Sequence, residues 1–87
     1  MPHLDANAQA CAKLAQARNL SQREEEVLLL LARHNTARDI EDALCVANGT
    51  AKAHIRHVYQ KLNIHTRDEL FAMVSAALPG TASEEDA

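Results

Sequence analysis

Residues 36–62 read TARDIEDALCVANGTAKAHIRHVYQKL, and the spacing of their apolar side chains decides the fold. Ile40, Ala43 and Leu44 recur at helical intervals after Thr36 or Ala37, which predicts a short helix there. Cys45-Val46-Ala47-Asn48-Gly49 then interrupts the period and supplies a turn. From about Asn48 the period resumes, with Ala51, Ile55, Val58 and Leu62 along one face, and Asn63 ends it. The stretch is therefore a short helix, a tight turn and a longer helix.

The flanks carry the same period. Ser21 followed by Glu24 has capping-box spacing, in which hydroxyl and carboxylate each satisfy a free backbone N–H. Glu24, Glu25 and Glu26 lie in that helix's first turn, where the helix dipole favours negative charge. Val27, Leu28 and Leu31, flanked by Leu30, form its buried stripe, and Arg33 falls in its last turn. His34-Asn35 breaks the pattern, Asn35 being the better suited of the two to a left-handed position. Thr66 and Glu69 repeat the capping-box spacing ahead of Leu70, Phe71, Val74 and Ala77. Asp5–Arg18 is Ala-rich, with Cys11, Leu14 and Ala15 or Ala17 on one side, and is expected to pack along one edge only. Together these readings predict an all-α fold, a small four-helix bundle containing the helix–turn–helix pair, with an additional N-terminal lead-in helix. The expected boundaries are a lead-in helix and linker over 1–19, a domain over 20–78 and a disordered acidic tail over 79–87.

Composition agrees. The 87 residues allow one domain, and 47% apolar content is too high for a wholly disordered chain. Aromatics are limited to Tyr59 and Phe71, and Gly and Pro number two each, which does not suit a β-sandwich or barrel. Cys11 and Cys45 form no CxxC pair and are expected to be reduced thiols. The longest apolar run, Val27–Ala32, is far short of the roughly 20 residues that span a bilayer. The start of the chain lacks the basic and apolar regions of a secretory signal. The expectation is a soluble, cytoplasmic protein with no membrane contact by this segment.

The formal charge of −3 argues at first against a nucleic-acid partner, but its distribution reverses that argument. Between Ala43 and Arg67 lie four basic residues and no acid, while the remainder holds five basic and twelve acidic ones. On the helix ending at Leu62 the apolar stripe leaves Lys52, Ala53, Arg56 and Gln60 facing outward, with His57 and Lys61 nearer the edge. A basic stripe on one helix is the footprint of a duplex-binding module. Ala53 allows close approach, and Lys52 and Arg56 reach far enough to touch base edges in a major groove. The scarcity of aromatics excludes base stacking on single strands as the main mode.

With those residues placed, Leu20–Val74 resembles the LuxR-type (GerE-like) helix-turn-helix domain, the DNA-binding module of many bacterial transcription regulators. Leu20–Leu28 is close to the family's LTPREREVL, Thr50–His54 to TVKTH, Lys61–Ile64 to KLGV and Thr66–Leu70 to NRTEL. The resemblance implies base contacts by Lys52, Ala53 and Arg56. It implies phosphate contacts by Thr50, His57 and Lys61, joined by Arg38. It implies a scaffold role for Glu24 through pairing with an Arg, and a dimer contact through the last helix at Leu70, Phe71 and Val74. It further implies double-stranded DNA as partner, a homodimer on DNA and possible contact with RNA polymerase. Such domains usually end a longer protein, and the lead-in helix is expected to join an upstream domain. Where the family has Gly, His34 stands here. Its Ser-Pro-Glu is replaced by Ala47-Asn48-Gly49, so that Asn48 is expected to cap the longer helix. Glu41 occupies the place of a small residue between the two helices.

Two alternatives are a sigma-factor-like promoter-binding region, disfavoured by the capped helix after Thr66, and a helical interaction module that has lost DNA binding, disfavoured by Lys52, Arg56 and Lys61. His54 and His57 lie one turn apart with Cys45 and His65 near in sequence, yet the expectation is no metal and no cofactor. With neither a Gly-rich phosphate loop nor a nucleophile–base set, no enzyme is expected.

Overall fold

The computed structural model describes residues 5–79; the acidic segment expected beyond Pro79 lies outside the described residues from Gly80 onward. Five helices follow one another: α1 (Ala6–Arg18), α2 (Gln22–Ala32), α3 (Ala37–Leu44), α4 (Asn48–Leu62) and α5 (Arg67–Ala76). No strand occurs among the described residues, and no helix there is long and apolar enough to cross a membrane.

Local chemistry sets most of the helix starts. Ser21 and Glu24 form the expected capping box on α2, and Thr66 and Glu69 form the one on α5. Thr36 and Asp39 make a third on α3, where the sequence left the first residue open between Thr36 and Ala37. Asp5 caps α1 by accepting the Ala8 N–H at 2.7 Å. α4 differs. Its N-cap is Ala47, which has no side chain to offer, while Asn48 lies inside the first turn and donates instead to the Glu41 carboxylate. The expected Asn48 cap is thus corrected: helical backbone begins at Asn48, and its amide is turned across the turn to tie α4 to α3.

The helix ends use the left-handed region without glycine. Asn19, His34, Cys45 and Asn63 all have φ between 55° and 69°. Asn tolerates this region best, and Asn63 ends α4 as expected. At the end of α2 the expected choice of Asn35 is overturned, because His34 takes the left-handed position. Its N–H donates to the Leu31 carbonyl and the Asn35 N–H to the Leu30 carbonyl, the paired bonds of a Schellman ending. The Asn35 side chain also donates to Leu30. The His34 ring lies 4.5 Å from the Phe71 ring, a contact that offsets part of its backbone strain. Arg67 completes the joint by donating to the Leu31 and Asn35 carbonyls.

Cys45 has no such compensation. It is exposed, with φ of 55°, and its thiol reaches only the Asp42 carbonyl at 3.8 Å. A left-handed non-glycine residue costs roughly 1–2 kcal/mol, partly offset by the unfolded-state entropy that glycine adds. Cys45→Gly is therefore expected to raise stability by about 0.5–1 kcal/mol, read as a higher midpoint in urea unfolding.

The core forms around α2, which packs on α1, α4 and α5, while α3 packs on α4. Val27, Leu28 and Leu31 of α2, Ile40 of α3, Ala51, Val58 and Leu62 of α4, and Leu70 and Val74 of α5 are all 4% exposed or less. Ala43, expected among the apolar positions of α3, is exposed. α1 is more than a linker: Ala10 and Cys11 are buried in the same core and Ala15 is buried as well, so the helix is part of the globule. Its small side chains let it lie close against α2 and α5. Burial and the negative charge of Glu25 push the Cys11 thiol up to about 11, leaving it protonated and inert at neutral pH.

Candidate nucleic-acid interface

The buried stripe Ala51–Val58–Leu62 fixes the rotation of α4, so what lies opposite is presented to solvent. Lys52, Arg56 and Gln60 are exposed, with Ala53 half-buried between them. Thr50, His57 and Lys61 form an adjacent exposed stripe on the side towards α2, and Arg38 is exposed on α3. Glu41 and Asn48 lock α3 to α4 across the turn, which sets Arg38 relative to the outward face of α4.

The four cations between Ala43 and Arg67 do not have equal freedom. Among the described residues, Lys52 and Arg56 have no ion-pair or hydrogen-bond partner. Arg67 is spent on the end of α2, half-buried beneath Phe71. Lys61 donates to the Glu24 carboxylate at 2.8 Å and to the Asn19 carbonyl at 3.3 Å. Glu24, only 7% exposed, therefore pairs with Lys61, and the Arg expected as its partner is corrected. Its other oxygen lies 3.8 Å from His57 Nδ1. One buried carboxylate thus holds Lys61 and lies near His57, two of the residues expected to touch phosphate, across 37 and 33 positions of sequence. No pattern in the chain marks that pairing.

The Lys61 ammonium and the Ser21 N–H hold the Glu24 carboxyl below its ordinary value of 4.5. A carboxylate with a lowered folded value contributes stability that is complete above the unfolded value and lost as pH falls through the folded one. Melting temperature should accordingly drop on acidification below about pH 4.5, and Glu24→Gln should flatten that drop while lowering stability at pH 7 by about 2 kcal/mol. Melts of both proteins from pH 7 to pH 3 check this.

The expected dimer residues need correction. Leu70 is 0% and Val74 4% exposed, both in the protomer's own core, and Phe71 is half-buried against His34. The 3.6-residue period that marks an apolar stripe does not say whether it meets its own chain or a second copy. Outward from α5 stand Asp68, Ala72, Ser75 and Ala76. The four His and Cys residues weighed as metal ligands do not come together: among the described residues no three His, Cys, Asp or Glu side chains form a metal cluster.

Comparison with known proteins bears on the same stretch of chain. The profile described as bacterial regulatory proteins, luxR family, matches residues 18–74, which takes in α2, α3, α4 and α5 as far as Val74 and leaves α1 ahead of it except for Arg18. The HTH-type transcriptional regulator MalT of Vibrio campbellii is 44% identical over 64 residues, 74% of this chain and 7% of that protein. The oxygen regulatory protein NreC of Staphylococcus carnosus is 42% identical over 53 residues, 61% of this chain and 24% of that protein. The chain thus spans well under a third of the length of these relatives. No solved structure matches it. On a profile match over residues 18–74, well over half of its length and carried by the helices just described, this chain belongs to the luxR family of bacterial regulatory proteins.

Proposed function

We propose that the chain is the sequence-specific, double-stranded-DNA-binding unit of a bacterial transcription regulator acting in the cytoplasm. The observation that carries this reading is the pair Lys52 and Arg56, exposed one turn apart on α4 with no partner among the described residues. Lys and Arg reading guanine bidentately are the commonest specific contacts in a major groove. Ala53 between them lets the helix approach the bases, and α4 enters the groove while α3 crosses the backbone. Arg38, Thr50 and His57 meet phosphates. Lys61 spends two of its three donors on Glu24 and Asn19, which leaves one for a phosphate. α5 supplies the dimer contact through its outward side, and two copies read half-sites about one helical turn apart. Contact with RNA polymerase follows if the parent protein activates transcription. The reading is supported by the names of two relatives, MalT as a transcriptional regulator and NreC as an oxygen regulatory protein.

Selection of bound duplexes from a random pool tests it directly, and recovery of no enriched sequence would reject it. On the enriched site, Arg38→Ala should weaken all sequences about equally and reduce the slope of log affinity against log salt by roughly one unit, the signature of a lost phosphate contact.

A further inference from the structure

Beside the bare basic face, α4 and the turn into α5 enclose a groove of about 470 Å³. It is lined by the apolar Ile55, Tyr59 and Ile64 and by Lys52, Arg56 and His65. It therefore combines an apolar wall with Lys52 and Arg56, neither of which has a partner among the described residues. Of the two acids nearest in sequence, Asp68 is exposed in the first turn of α5, and Glu69 accepts from the His65 and Thr66 N–H groups. Residues 80–87 read GTASEEDA, with three acids, no base and no large apolar side chain.

We propose that this groove docks the chain's own acidic segment, Glu84-Glu85-Asp86, which thereby covers Lys52 and Arg56 and competes with DNA. Charge complementarity selects this occupant, since the groove offers cations and the segment carries only acids. The reach is sufficient. α5 begins two residues after His65 and its ten residues rise about 15 Å. Ala77 and Leu78 still pack against the core, and the five residue steps from Pro79 to Glu84 extend up to about 16–18 Å, enough to double back along α5 to the groove. Tethering at that length gives an effective concentration in the millimolar range, so a contact too weak to form between molecules is populated within one. Phosphates bind the same two cations with far greater charge density, so a specific site displaces the segment whereas a weak, random one does so less readily. The device thus sharpens discrimination at low and moderate salt.

The docking rests on the DNA reading only for its consequence, so its primary readout is taken without DNA. Tyr59 is the chain's sole tyrosine, there is no tryptophan, and its emission reports on the groove. The full chain is compared with E84Q/E85Q/D86N, which leaves every residue of α1 to α5 unchanged. At about 20 mM salt the triple variant should shift Tyr59 emission and the amide signals of Ile55, Ile64 and His65, and these differences should vanish near 500 mM. Random-duplex affinity should rise roughly 3- to 10-fold at low salt. Identical groove signals in the two proteins would overturn the docking. A gain in DNA affinity without a groove shift would overturn it equally, assigning the acids to general repulsion. Shifts that grow with protein concentration would transfer the contact to a second copy and reject the intramolecular form.

Discussion

Lys52→Glu is expected to abolish sequence-specific duplex binding, lowering affinity for the preferred site by at least about 100-fold, while leaving the melting temperature within about 2 °C. The functional loss has two parts. A bidentate base contact is worth about 1–3 kcal/mol of discrimination, and a carboxylate in its place faces both acceptor-rich guanine and the phosphates. Stability is spared because Lys52 is exposed and has no partner among the described residues, and such surface changes usually stay within about 0.5 kcal/mol. Glutamate also suits the first half of α4, where the helix dipole favours negative charge. Titration of a fluorescent duplex and a thermal melt together separate the two effects. Unchanged affinity in a folded variant would remove α4 from the DNA interface.

The largest loss of stability is expected at Leu28. Its side chain is 0% exposed at the centre of α2, the helix that α1, α4 and α5 all pack against. Leu28→Ala removes buried methyl groups and leaves a cavity in the core, at a cost of about 3–4 kcal/mol. Small domains are stable by only about 5–10 kcal/mol, so this is a large fraction of the whole. At roughly 4–8 °C per kcal/mol, melting should fall by at least about 12 °C. Leu29→Ala, one residue along but only partly buried, should cost less than half as much. Equal losses at the two positions would mean that α2 is not the core's hub.

Helix phase was legible because it rests on contacts within four residues. Ser21 finds Glu24, and Thr66 finds Glu69, through bonds of the local backbone. Apolar periodicity marked Val27, Leu28, Leu31, Val58 and Leu62 as interior, and all are buried. Local rules also misled in places. Intrinsic preference favoured Asn35 for the left-handed end of α2, yet the burial register of Leu31 places His34 there, where Phe71 and Arg67 complete the joint. Asn48 has a good capping side chain, but Glu41, seven residues back, recruits it. Leu70 and Val74 showed an apolar stripe that the protomer itself consumes.

The sequence by itself determined five helices, their boundaries to within a residue or two, and a basic run without acids between Ala43 and Arg67. Only the tertiary structure decided what those charges are free to do. Lys61 meets Glu24 across 37 residues, and Arg67 meets the end of α2 across 32 and 36. Such partners become neighbours only once the core has packed, because no periodicity encodes a contact between side chains that distant in sequence. Packing thereby withdraws two cations into the scaffold and leaves Lys52 and Arg56 bare on the face of α4.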